Sequence, residues 1–168
     1  MEQVLLDCGR LDAQLMRDPL GSFGPGHDAM SDPIVIEITP SRVTFRDSEG
    51  EPVSLAPLVY VSPDSRRNRV IAVGTAPRDG MPALPVAVFG SASPPSGVSK
   101  FECLVALFTE GLKVIVNRSV VRLRPDVLVR GAETLSAGLG GYERDLLARA
   151  LEQARARRVR WPEDYVSG

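Results

Sequence analysis

Histidine occurs once in the chain, at His27, cysteine twice, at Cys8 and Cys103, and lysine twice, at Lys100 and Lys113. A lone histidine in a linker-like stretch gives no Ser-His-Asp or Cys-His arrangement. The cysteines have no CxxC partner, which argues against a metal site or disulfide framework and fits a reducing cytoplasm. No apolar run approaches the roughly 20 residues that span a bilayer. The opening "MEQVLLDCGRLDAQLMRD" lacks the basic start and continuous apolar block of a signal peptide. A net charge of −1 supplies no strong pull toward nucleic acid or acidic lipid.

What is present is a chain of 168 residues, 43% hydrophobic, with room for one ordinary domain and a tail. Residues 1–32 read as a separate piece. Val4, Cys8, Leu11 and Leu15 recur at helical spacing, so 2–17 can form a short amphipathic helix. Glu2, Asp7, Asp12 and Asp18 face Arg10 and Arg17 on its other side, unlike the basic polar face of a membrane-surface helix. A weakly helical tail is the plain reading, a partner-docking helix the sharper one. "GSFGPGHDAMSDP" follows as linker, and Met30 is a candidate start codon. The domain proper is expected over 33–163, with a short tail at 164–168.

From Ile34 the pattern changes. "IVIEI" reads as an apolar strand and "RVTFRD" as an alternating, half-exposed one. "LAPLVYVS" reads as a third strand and "NRVIAVG" as a fourth, joined by a polar hairpin loop. "VAVFG" adds one short strand. Phe101, Leu104, Val105, Phe108, Leu112 and Ile115 predict a helix over about 99–116. "PDVLVRG" is a short buried-type strand, Leu146, Leu147, Ala150, Leu151 and Ala154 mark a helix over about 141–157, and "RVRW" is a last strand. Antiparallel strands followed by βαβ units imply an α/β fold with a mixed sheet flanked by two main helices. Three antiparallel strands continued by two parallel ones form the core of the ribonuclease-H-like fold, which actin-like ATPases use twice.

Four stretches resemble the MreB-type bacterial actin homologues, the rod shape-determining proteins: "PLVYVSPDSRRNRVIAVG" (57–74), "PVAVFGSASPPSGVSKFE" (85–102), "RPDVLVRG" (124–131) and "YERDLLARALEQARARRV" (142–159). The resemblance covers about residues 33–161 and implies the first actin subdomain, with its small lateral subdomain nearly deleted and its second half absent. In that family the turn after the first strand reads Asp-Leu-Gly-Thr or close to it, and holds phosphate. Here Glu37 takes the place of the aspartate, Thr39 that of the glycine and Pro40 that of the threonine, with Ser41 next. Proline has no amide hydrogen, and a Cβ at residue 39 crowds the approach of a phosphate. The resemblance thus implies a vestigial phosphate turn, no cofactor and no ATP hydrolysis. It further implies an interaction module in cell-shape or cell-wall assembly, docking on an MreB-type filament or a cell-elongation adaptor. Truncation adds an expectation of exposed apolar surface, and hence of self-association.

Two other readings accompany it. One is a divergent actin-like ATPase that still binds ATP and magnesium. The other is a two-metal nuclease of ribonuclease-H-like fold, using Glu37, Glu102 or Glu110, and Asp126. Asp126 falls at the start of its strand, the wrong end for a ligand site, so solvated surface carboxylates are the plain alternative. "SAGLGGYE" (136–143) opens a helix but lacks phosphate-loop spacing. Trp161 reads as packing, and the arginines of "ARARRVR" (154–160) as cations at a helix C-terminus.

Overall fold

Alternation decides the first element. In "IVIEIT" every second side chain is isoleucine, and a strand sends successive side chains to opposite faces. Ile34, Ile36 and Ile38 are completely buried, while Glu37 and Thr39 are exposed. The computed structural model describes residues 32–48, 50–63, 69–78, 81–90, 94–95, 97–118, 124–135 and 141–165. The expected helix at 2–17, with Cys8, His27 and Met30, lies outside these residues, as does most of "SAGLGGYE".

The elements run β1 (Ile34–Thr39), β2 (Arg42–Arg46), β3 (Val53–Leu55), β4 (Leu58–Val61), β5 (Val70–Val73), β6 (Leu84–Ala87), α1 (Lys100–Arg118), β7 (Asp126–Arg130), α2 (Gly141–Gln153) and β8 (Arg158–Arg160). Short 3-10 turns follow β7 at Ala132–Thr134 and β8 at Pro162–Tyr165. The fold is α/β, with a mixed five-stranded sheet in the order β3-β2-β1-β7-β8 and a separate three-stranded sheet in the order β5-β4-β6. β1 pairs antiparallel with β2 and parallel with β7, and β7 pairs parallel with β8. The three-stranded sheet is antiparallel throughout.

The expected third strand over 55–62 is therefore two strands in two sheets. Pro57, which cannot donate to a ladder, breaks the run. The Leu58 amide turns back to the Ala56 carbonyl at 2.8 Å, and the chain leaves one sheet for the other. The second sheet shares the core of the first: Val59 and Val61 of β4 are completely buried and belong to the same apolar core as β1.

Helix α1 begins where Ser99 caps it. The Ser99 hydroxyl accepts from the Glu102 amide (3.1 Å), and the Glu102 carboxylate accepts from the Ser99 amide (2.7 Å) and hydroxyl (2.9 Å). This reciprocal box satisfies amides that a helix start leaves unpaired. Cys103, Leu107, Phe108, Leu112 and Ile115 are buried on one side of the helix. Burial, with the Glu102 charge adding to it, pushes the Cys103 thiol up, so it packs as an inert apolar side chain. Gly111 is the closest approach of helix and sheet: a Cβ there would come within 2.2 Å of the Phe45 ring on β2.

Helix α2 is shorter than its periodicity predicts. It ends at Gln153, and Arg155 adopts φ 75°. The Ala156 amide reaches back to the Leu151 carbonyl (2.9 Å) and the Arg155 amide to that of Glu152 (3.0 Å), the paired bonds of a Schellman end. Leu151 and Ala156 are both buried, completing the apolar contact that accompanies it. An arginine thus occupies a position at which glycine avoids the Cβ penalty.

The sheet edges are short or interrupted. β3 and β8 are three residues each, β6 carries Pro85, and β5 has a register shift opposite Tyr60 and Val61. No described helix is long and apolar enough to cross a membrane.

Two substitutions test these contacts by urea denaturation. Gly111→Ala gains up to about 1 kcal/mol in helix propensity, but the clash with Phe45 is expected to outweigh it, for a net loss of about 1–3 kcal/mol. Arg155→Gly is expected to raise stability by about 1 kcal/mol, because it removes left-handed strain without touching a packed side chain. A lower denaturation midpoint in Arg155→Gly would contradict that reading of the helix end.

Candidate functional site

In an open α/β sheet, ligands collect beyond the carboxyl ends of the parallel strands. Here those ends belong to β1, β7 and β8, and the turn Thr39-Pro40-Ser41-Arg42 follows the first of them. Thr39 and Arg42 pair across a two-residue loop. Such loops favour left-handed residues, yet Arg155 is the only described non-glycine residue with positive φ. The threonine side chain closes the turn instead: its hydroxyl accepts from the Arg42 amide (3.0 Å) and donates to the Arg42 carbonyl (2.9 Å). Pro40 has no amide hydrogen, and the Arg42 amide is engaged. The donors that a phosphate requires are thus withdrawn from two of the four turn positions. Glu37 sits back on the strand, exposed, between Thr44 of β2 and Arg130 of β7.

The end of β7 folds onto the end of β1. Gly131 has φ 75°, and a Cβ on it would lie 2.4 Å from the Ile38 carbonyl oxygen. The Thr134 hydroxyl lies 2.6 Å from the Gly131 carbonyl and 3.4 Å from that of Ile38. No sequence signal beyond "RG" pointed to this close approach.

The remaining candidates are dispersed. Glu37 lies on the outward face of the sheet, whereas Glu102 and Glu110 lie on α1, whose buried side packs on the inward face. Glu102 is spent on the cap, and its bonds to the Ser99 amide and then the Ser99 hydroxyl hold its carboxyl below the usual range. Glu110 lies 3.9 Å from Lys113. Among the described residues no group of three or more His, Cys, Asp or Glu is placed to hold a metal ion, so the proposed nuclease carboxylates are not brought together.

Asp126 is not a solvated surface carboxylate. It is 9% exposed at the start of β7, where Arg157 donates to both of its oxygens, at 2.7 and 3.1 Å, and Arg160 lies 3.7 Å away. The Arg157 hydrogen bonds, opposed by burial and assisted by the charges of Arg157, Arg160 and Arg158, hold its carboxyl below the usual aspartate range. Arg157 and Arg160 therefore fix the parallel β7–β8 pair and do not serve the end of α2. Trp161 packs against the core, and the Arg144 guanidinium lies 5.3 Å from its ring centroid, a cation–π contact. Arg144 also pairs with Glu163. Stacking on this ring is therefore already taken by the chain itself.

The broad apolar patch expected from truncation is not seen: among the described residues only Met81 and Leu84 are large, hydrophobic and exposed. No family model matches the chain, and no curated protein is significantly similar to it.

Asp126→Asn is expected to cost about 1–3 kcal/mol at pH 7, less than a fully buried pair because Arg157 is half exposed. A depressed carboxylate stabilises the fold above the unfolded aspartate value near 3.9 and loses that contribution as pH falls through its lower native value. The gap between Asp126→Asn and the unaltered protein should accordingly narrow below pH of about 4 in denaturant titrations. Equal midpoints at pH 7 would show that the pair contributes nothing.

Proposed function

We propose that the chain is a divergent actin-like subdomain of the MreB type, serving as a protein-interaction module in bacterial cell-shape or cell-wall assembly and not as an ATPase. The observation that carries this reading is the strand order. Three antiparallel strands lead into two parallel ones, with α1 and α2 in the crossovers and β1 at the centre. That is the order anticipated for a ribonuclease-H-like core. The three-stranded sheet arises between β3 and α1, where an actin-like chain inserts its lateral subdomain. Fold alone does not assign an activity, so the absence of catalysis is argued from the turn: Thr39 closes it with its own side chain and Pro40 offers no donor. Under this reading the protein works in the cytoplasm, its partner is an MreB-type filament or an elongation adaptor, and no cofactor is needed.

Co-sedimentation with a purified MreB-type protein polymerised in magnesium-ATP tests the partner. The chain should pellet with filaments and stay in the supernatant without them; recovery in the supernatant at every filament concentration would end this proposal. Titration calorimetry with magnesium-ATP should give no dissociation constant tighter than about 10 μM, or roughly 7 kcal/mol. Tighter binding would favour the nucleotide-binding actin-like reading instead.

A further inference from the structure

The two large hydrophobic side chains that are exposed among the described residues, Met81 at 57% and Leu84 at 44%, stand three residues apart in one segment. That segment, "MPALPVA", leads into and forms β6, an edge strand of the three-stranded sheet. Pro82 and Pro85 are exposed as well, and they too are three apart. The chain has no charged residue from Met81 to Ser99, so the segment presents apolar surface without a charge of its own.

Burial along it has a period. Met81 and Pro82 are exposed and Ala83 is half-buried; Leu84 and Pro85 are exposed and Val86 is buried in the core. A strand alternates every second residue, and that alternation starts only at Val86, Ala87 and Val88. A period of three belongs to the polyproline II helix, in which residues i and i+3 share an edge. Met81 and Leu84 make one edge, Pro82 and Pro85 a second, and Ala83 and Val86 the third, the covered one. Polyproline II and strand dihedrals are neighbours, so Leu84 and Pro85 still pair with Val61 and Tyr60 of β4. The sequence holds this shape in advance. Proline locks φ at about −65°, and the residue before a proline is pushed to extended conformations. Met81, Pro82, Leu84 and Pro85 are all restricted in one of these two ways.

We infer that Met81–Pro85 is a docking segment for a partner protein with an aromatic-lined groove of the kind that receives P-x-x-P ligands. Recognition through the backbone is withdrawn at this place. Pro82 and Pro85 have no amide hydrogen, and the Met81 amide donates to the Arg78 carbonyl (3.3 Å). A strand added to this edge would lack those donors, whereas a proline-recognising groove reads side chains on a preformed extended backbone. Flat rings pack against the Pro82–Pro85 edge, and the Met81 thioether and Leu84 extend the apolar contact, sulfur being a favourable neighbour for an aromatic ring. A segment already held extended loses little conformational freedom on docking. This inference stands on the exposed segment and holds whether or not the partner belongs to cell-shape assembly.

The test titrates the full chain, labelled with nitrogen-15, with three purified proline-recognition modules: an SH3, a WW and an EVH1 domain. At least one should bind, with amide shifts centred on Met81, Ala83 and Leu84, and with an affinity that changes little as salt rises, because the segment carries no charge. Pro82→Ala with Pro85→Ala should weaken that binding by at least about tenfold. Circular dichroism checks the fold of this variant. Met81→Ser with Leu84→Ser, which leaves both prolines in place, should move binding in the same direction. The inference is overturned by shifts on another part of the chain or by unchanged affinity in both variants. No binding of any of the three domains at roughly 1 mM, on the order of the weakest specific association, would overturn it too. So would a dimer in sedimentation that Met81→Ser with Leu84→Ser splits, since a second copy would then occupy the segment. None of these outcomes decides the filament experiment, which can succeed or fail by itself.

Discussion

Helix α1 can lie on both sheets only because residue 111 has no side chain. The Phe45 ring fills the space that any Cβ there would need, and Phe45 is itself completely buried on β2. Remove the gap and the helix must lift, taking Cys103, Leu107, Phe108 and Leu112 away from the strands they cover. α1 is also the element shared by the two sheets, since β2 and β3 of one and β4 and β5 of the other all lie against it. A single close approach thus sets the height of the helix and, through it, how the sheets share one core.

The parts of this fold legible in the sequence were those governed by a period. Isoleucine at every second place announced β1, and Val43 and Phe45 announced β2. The apolar recurrence from Phe101 to Ile115 marked α1 to within a few residues. What escaped was governed by single atoms. The apolar run through Pro57 looks like one strand, although a missing donor is a reason for a strand to end. "SKFE" carries a capping box, in which the three-residue distance from Ser99 assigns Glu102 to the helix start and not to a metal. Alanine and arginine continue a helix well, so the pattern of α2 runs on to 157; nothing in their propensity signals that Arg155 turns left-handed. The Asp126–Arg157 pair joins residues 31 apart, and only the assembled sheet brings them together.

The charged residues divide by task. Several described acids serve the architecture: Glu102 caps a helix, Asp126 joins two strands, Asp47 holds the Gly50 amide and Asp164 the Trp161 amide. On the outward sheet face Arg42, Arg46 and Arg130 make no ion pair among the described residues, whereas Arg160 lies 3.7 Å from Asp126.

The interrupted sheet edges carry a consequence of their own. Among the described residues, two three-residue strands, a proline in β6 and a shifted register in β5 leave the sheet edges short or interrupted. Such edges are poor templates for the addition of a strand from another chain. Any ordered assembly has to proceed face upon face, where side chains choose the neighbour, and not rim upon rim, where backbone accepts any comer.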